Sequence, residues 1–183
     1  PGGLNKAQFQ QDPRQARQPT ATLPGAEDQK AAVYNDMLFG GITHSSQISK
    51  YVKHVISLFA SSVDFRNPFI TNYEERKEKN IGARSYLIFS SNKAKKINWE
   101  YNIGAEWQQS NVSVNNYQNR SGDKGALVAF GKISTQQYFI FNRARLNLSD
   151  RFIAEAGLSF NNYNYRFTDS LVLEKRFLPQ WMP

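Results

Sequence analysis

Residues that could do chemistry are few in this 183-residue chain, and they stand far apart. Gly125, Gly131 and Lys132 look like a phosphate-binding loop. However, five residues separate the glycines, and Ile133 stands where a Ser or Thr must meet the metal, so the motif fails. His44 and His54 are the only histidines and each is alone, which suits a surface or lumen residue better than a metal ligand. With no cysteine there is no thiol nucleophile, disulfide framework or Cys-ligated zinc. No Ser/His/Asp constellation is recognisable. Asn111-Val112-Ser113, Asn119-Arg120-Ser121 and Asn147-Leu148-Ser149 match the glycosylation pattern, a weak signal. Tyr165, Arg166 and Phe167 place a cation between aromatic rings, as stacking on single-stranded nucleic acid would need, but strand packing accounts for them better. This inventory speaks against an enzyme, and it calls for no cofactor and no metal.

Composition narrows the remaining classes. Hydrophobic residues make up 40% and aromatics 14%, so apolar surface comes in large units spaced by polar residues, as in half-buried strands. The formal net charge of +8 raises nucleic acid as a partner. Its Lys and Arg are scattered, however, and in TNYEERKEKN (71–80) they alternate with Glu, the pattern of a solvated surface. No nucleic acid is therefore expected. PGGLNKAQFQ (1–10) lacks the apolar centre of a signal peptide. No stretch approaches the roughly 18 apolar residues of a membrane helix, but membrane β-strands announce themselves by alternation rather than by a run.

The elements follow from that alternation. In INWEYNIGAEWQQ (97–109), Trp99, Tyr101, Ile103, Ala105 and Trp107 share one face, while Glu100, Asn102, Gly104 and Glu106 share the other. RFIAEAGLSFNNYNYRF (151–167) repeats the pattern, with Phe152, Ala154, Ala156, Leu158 and Phe160 on one side. Further strands are expected at 29–45, 51–66, 83–91 and 134–148. Residues 51–66 also read as a helix, with Val52, Val55, Ile56 and Phe59 on one face, but β-branched and aromatic content favours a strand. Residues 1–28 read as a long loop. Short connections fall at 46–50, 91–96 and 149–150, and long loops at 67–80, 110–133 and 168–183. The expected architecture is all-β, an antiparallel up-and-down meander of about six long strands with unlike ends.

Such a meander fits either of two solvents. A soluble sandwich, one face to a core and one to water, predicts the same alternation. Strands this long exceed the usual length of about 5–6 residues. Short turns at one end and longer loops at the other are the organisation of outer-membrane barrels. Trp99 and Trp107 stand roughly 26 Å apart along a strand, or roughly 20 Å along a membrane normal at a tilt of about 40°, near the height of an outer-membrane apolar band.

Several phrases also resemble a known family. PGGLNKAQFQQDPRQAR (1–17), the PGA and QKAAVYN words (24–35), SLFASSVDFRNPFITNYE (57–74), LNLSDRFIAEAGLSFNNYNYRF (146–167) and FLPQWMP (177–183) resemble the barrel of TonB-dependent outer-membrane receptors. The resemblance is to the iron-siderophore or ferric-citrate type of Bacteroidetes-like bacteria, and it favours a strand at 51–66. It implies a barrel of about 22 strands around a plug domain, import of a ferric chelate, and energy delivered by the TonB complex. No plug or TonB box is recognisable in 1–183, so a segment of barrel with two open sheet edges is expected, prone to self-association. The resemblance further implies that the loops at 1–28, 67–80, 110–133 and 168–183 are external. Arg14, Arg17, Arg66 and Arg120 are then candidate contacts for an anionic chelate, because the guanidinium fork matches a carboxylate. Trp99, Tyr101, Ile103, Trp107, Phe152 and Phe160 would face outer-membrane lipid. The competing reading is a soluble β-rich module that binds glycan or single-stranded nucleic acid.

Overall fold

The computed structural model describes residues 3–91, 97–149, 151–169 and 172–182. A helix of under two turns, α1 (Lys6–Gln11), opens the chain, with Asn5 and Gln8 forming a reciprocal capping box. Eight strands follow: β1 (Tyr34–Ser49), β2 (Val52–Pro68), β3 (Tyr73–Ser90), β4 (Asn98–Arg120), β5 (Asp123–Ser149), β6 (Phe152–Thr168), β7 (Val172–Arg176) and β8 (Gln180–Met182). They form one sheet in chain order from β1 to β7, every pair antiparallel, and β8 joins β6 beyond the end of β7. Among the described residues β1 pairs with β2 alone, so the sheet is open. The all-β up-and-down meander is therefore present, and 51–66 is strand.

Four boundaries fell where alternation did not predict them. Residues 67–80 are not a long loop: β2 runs to Pro68, a four-residue turn follows, and β3 begins at Tyr73. Its charged run is a strand because opposite charges two residues apart share a face. Arg76 pairs with Glu78 at 2.7 Å and Glu74 at 3.5 Å, while Lys77 reaches Asp64 on β2 at 4.0 Å. Residues 110–133 are likewise not a loop. β4 and β5 continue to a two-residue turn, Ser121 (φ 50°) and Gly122 (φ 95°), where both central residues take the positive φ of a type I′ hairpin. Asn119 Oδ1 accepts from the Gly122 N–H at 2.8 Å. The expected sorting of loop length by side is thus replaced by strands of unequal height. Residues 168–183 contain β7 and β8 rather than loop alone, and β1 starts at Tyr34 rather than near 29. The expected basic turn at 92–96 and Asp150 of the turn after β5 lie outside the described residues.

Before β1, the chain crosses the end of the sheet that carries the 69–72 and 121–122 turns. The Ala32 N–H donates to the Pro68 carbonyl at 3.0 Å. The Asn119 side-chain amide donates to Gln29 O at 2.8 Å and to Phe69 O at 2.7 Å, so one residue ties three segments. Ala26, Pro68, Ile70 and Tyr73 are buried near this junction, and Val55 is the only other buried apolar side chain among those described. No large side chain among the described residues is fully buried. A water-soluble globule of this length would enclose a core. This sheet has two faces and almost no interior.

Candidate functional site on the two faces of the sheet

Strand register assigns every side chain to a face, because directly opposed residues point the same way. One cross-strand row reads Ile42, Leu58, Ala83, Trp107 and Tyr138; another reads His44, Ile56, Ser85, Ala105, Ile140 and Phe160. Trp99, Tyr101 and Ile103 lie on this same face, opposite Leu146, Ala144 and Asn142, and Phe152 follows on β6. The six residues expected on one face are therefore on one face. The exposed large side chains Ile56, Leu58, Ile81, Ile103, Tyr138 and Ile140 also belong to it.

Charge separates the faces more sharply than hydropathy. On the apolar face, the alternate positions 38–46 of β1, 52–62 of β2, 81–89 of β3, 99–109 of β4, 134–146 of β5 and 152–164 of β6 hold no Asp, Glu, Lys or Arg. Over the same span the other face holds Lys53, Arg84, Glu100, Glu106, Arg143, Arg145 and Glu155. The sheet is built like a fragment of a β-barrel.

Comparison with solved structures agrees. The chain is similar to the crystal structure of the ferric citrate transporter FecA in its unliganded form, with a TM-score of 0.76 and 13% sequence identity, over 98% of this chain and 27% of that one. At that identity the likeness concerns the fold, and the chain spans about a quarter of the transporter's length, 27%. No family model and no curated protein sequence matches.

The polar face carries a built cluster. Glu106 on β4 is the one buried charged residue among those described, at 5% exposure. It accepts hydrogen bonds from Arg84 Nε on β3 and Gln108 Nε2 on its own strand. The Arg84 guanidinium also lies over the Phe141 ring, 5.8 Å from its centroid, and Phe141 meets Tyr86 at 6.1 Å. Room for those rings comes from Gly104, where a Cβ would collide with Tyr86 Cβ and sit 2.9 Å from Phe141 Cζ. Farther along, Arg143 grips Glu155 through two hydrogen bonds, Nε to Oε1 at 2.7 Å and Nη2 to Oε2 at 2.8 Å. Asn147 Nδ2 donates to Asn98 Oδ1 at 2.6 Å. The result is a hydrogen-bonded wall in which Arg84 and Arg143 each meet a carboxylate.

The four arginines expected to bind an anion do not form one cluster. Arg14 is exposed and Arg17 half-buried in the segment before β1. Arg120 ends β4 beside the 121–122 turn and is exposed. Arg66 lies within β2 on the apolar side, beyond the charge-free band, bonded to Asp36 at 3.1 Å and over the Tyr34 ring at 5.5 Å. Reading arginines from loops missed Arg84, whose alternation with Glu106 across a strand pair was the available signal. His54 Nε2 pairs with Ser85 Oγ at 2.8 Å. Two of the three Asn-x-Ser asparagines, Asn119 and Asn147, spend their amides on internal bonds. Among the described residues no group of three or more His, Cys, Asp or Glu could hold a metal ion.

One ion pair at the turn end shows the same economy. Lys124 Nζ lies 2.9 Å from Glu75 Oε1, between the rings of Tyr73 and Tyr117 at 5.7 and 5.5 Å. The hydrogen bond to Glu75 raises the Lys124 pKa above its ordinary value against a smaller cost of burial.

Proposed function

We propose that this chain is part of the wall of an outer-membrane β-barrel transporter, in a receptor that imports a ferric chelate by TonB-coupled transport. The observation that supports the reading is the charge-free band on one face of six strands, backed by a charged and hydrogen-bonded face. Lipid rejects charge at mid-depth, while a watery lumen accepts it. In this reading Trp99 and Trp107 lie toward opposite edges of the apolar band, Tyr101 and Ile103 between them, and Phe152 and Phe160 complete the belt on β6. The polar face lines the lumen. Arg14, Arg17 and Arg120 meet the anionic cargo, and Arg66, already paired with Asp36, contributes less. The wall positions and does not catalyse. The open edges belong against further strands of the same barrel, so the isolated segment associates through them.

Site-directed fluorescence tests the orientation, since the chain has no native cysteine to compete for the label. Single cysteines at Ile103 and Ile140 on one face, and at Gln108 and Phe139 on the other, carry an environment-sensitive dye in vesicles containing a lipid-tethered quencher. Quenching at 103 and 140 but not at 108 and 139 is expected. Equal quenching on the two faces, or a monodisperse monomer in detergent-free buffer, refutes the reading.

A further inference from the structure

Immediately past the charge-free band, the same face turns basic. Lys77 opposes Ser113, which opposes Lys132, in one cross-strand row; the next row is Lys79, Asn111 and Ser134. Together they line a shallow depression of about 320 Å³ that Arg166 also borders. Lys79 is one alternate position beyond Ile81, and Asn111 is two beyond Trp107. Asp64 lies 4.0 Å from Lys77 Nζ, and Glu174 on β7 stands opposite Arg166 in the register. Among the described residues three lysines and Arg166 line the depression and no carboxylate does, which leaves it positive.

We infer that this depression binds the phosphate of a phosphorylated membrane lipid, whose acyl chains lie along the apolar band. The inference rests on the proposed orientation of that band toward lipid. The physical case is one of position and chemistry. Lysine stems run along apolar surface while their ammonium groups reach the headgroup level. Anionic headgroups attract cations held at the membrane surface. Asn111, Ser113 and Ser134 add donors that complete a shell around phosphate oxygens. Lysines meant only for solubility need not gather at the border of the uncharged band. Elsewhere on that face Arg66 and Lys124 have acidic partners at 3.1 and 2.9 Å, whereas Lys77 reaches Asp64 only at 4.0 Å. A free phosphate ion would meet the same groups but would gain nothing from the apolar band below.

The test uses the full chain in phosphatidylcholine vesicles with and without phosphatidic acid, scored by lipid retained on extraction and native mass spectrometry. The chain is expected to enter both vesicles and to retain phosphatidic acid over phosphatidylcholine by on the order of tenfold. The variant K77Q/K79Q/K132Q should lose most of that preference and still enter vesicles, while K53Q, on the opposite face, should keep it. Millimolar inorganic phosphate should leave the retained lipid in place. Entry without headgroup preference, or preference unchanged in the triple variant, overturns the inference alone. Complete displacement by inorganic phosphate also overturns it, in favour of a free-phosphate site. Failure to enter phosphatidylcholine vesicles overturns the membrane orientation, and this inference with it.

Discussion

Replacing Glu106 by leucine should cost more than the loss of one exposed ion pair, and the excess can be worked from the geometry. The carboxylate is 5% exposed and accepts from both Arg84 and Gln108. Removing one partner of a buried pair costs about 3–5 kcal/mol, and stranding a polar group about 1–3 kcal/mol. Arg84 is 46% exposed, so water restores part of its solvation and the expected loss for Glu106→Leu falls to about 2 kcal/mol. Arg84→Met leaves the buried carboxylate with Gln108 alone and should cost about 3 kcal/mol. The double variant R84M/E106L removes both charges from an already half-apolar setting beside Phe141 and Phe139. Its loss should fall below the sum of the singles by about 2 kcal/mol, near thirtyfold in the folding equilibrium. Urea unfolding of the chain refolded in detergent micelles, followed by tryptophan fluorescence, measures all four corners of the cycle. Single losses that add within about 0.5 kcal/mol would mean that the pair is not an energetic unit and that burial of Glu106 has another cause.

Other features give equally direct expectations. Gly104→Val drives a side chain into Tyr86 and Phe141; a loss of about 2–4 kcal/mol is expected from overpacking plus the broken ring pair, with a collapsed near-ultraviolet tyrosine signal. Ser121→Gly relieves a positive φ of 50° in the β4–β5 turn and should stabilise by about 1 kcal/mol, whereas Gly122→Val at φ 95° should destabilise by at least as much; amide exchange across the hairpin reads both. Lys124 has a folded pKa raised above 10.5, so its contribution is fully present below the unfolded value and is lost as pH rises through the folded one. Stability in urea should therefore fall more steeply above about pH 10.5 in the native chain than in Lys124→Met, and Glu75→Gln should return the ε-carbon titration midpoint of Lys124 toward the ordinary lysine value.

The strands whose two faces differ in hydropathy were legible without coordinates. Trp99 to Trp107 and Phe152 to Phe160 alternate apolar with polar, and their register places them as alternation required. The strands that escaped were those whose two faces do not differ. In SNVSVNNYQN (110–119) Ser and Asn recur on both sides, so no period-2 hydropathy signal exists and backbone pairing alone defines the strand. In YEERKEKN (73–80) the period is in charge sign, and it becomes visible once Arg76 is seen with Glu74 and Glu78. Ser121-Gly122 was a readable turn signal hidden by the polar residues around it. The polar cluster was half legible: Glu106 stood out as a carboxylate opposite an aromatic face, but its partner depends on which strand pairs with β4 and in what register. The loop arginines were chosen by chemistry alone, and Arg66 shows the limit of that choice, since neighbours one strand away occupied its guanidinium.

The Asn119 amide has two hydrogens, and each holds a different carbonyl, one in the segment before β1 and one in the β2–β3 turn, while its oxygen holds the β4–β5 turn. Mechanically this is a joint with no spare capacity. Gln29, Phe69 and Gly122 cannot separate without breaking a bond at one side chain, so a pull on the segment before β1 is shared by two hairpins rather than absorbed by one. Rupture at Asn119 would leave the segment before β1 held by the Ala32 N–H bond to Pro68 and the β2–β3 turn held to β4 by Asn72, so the load passes next to those two bonds.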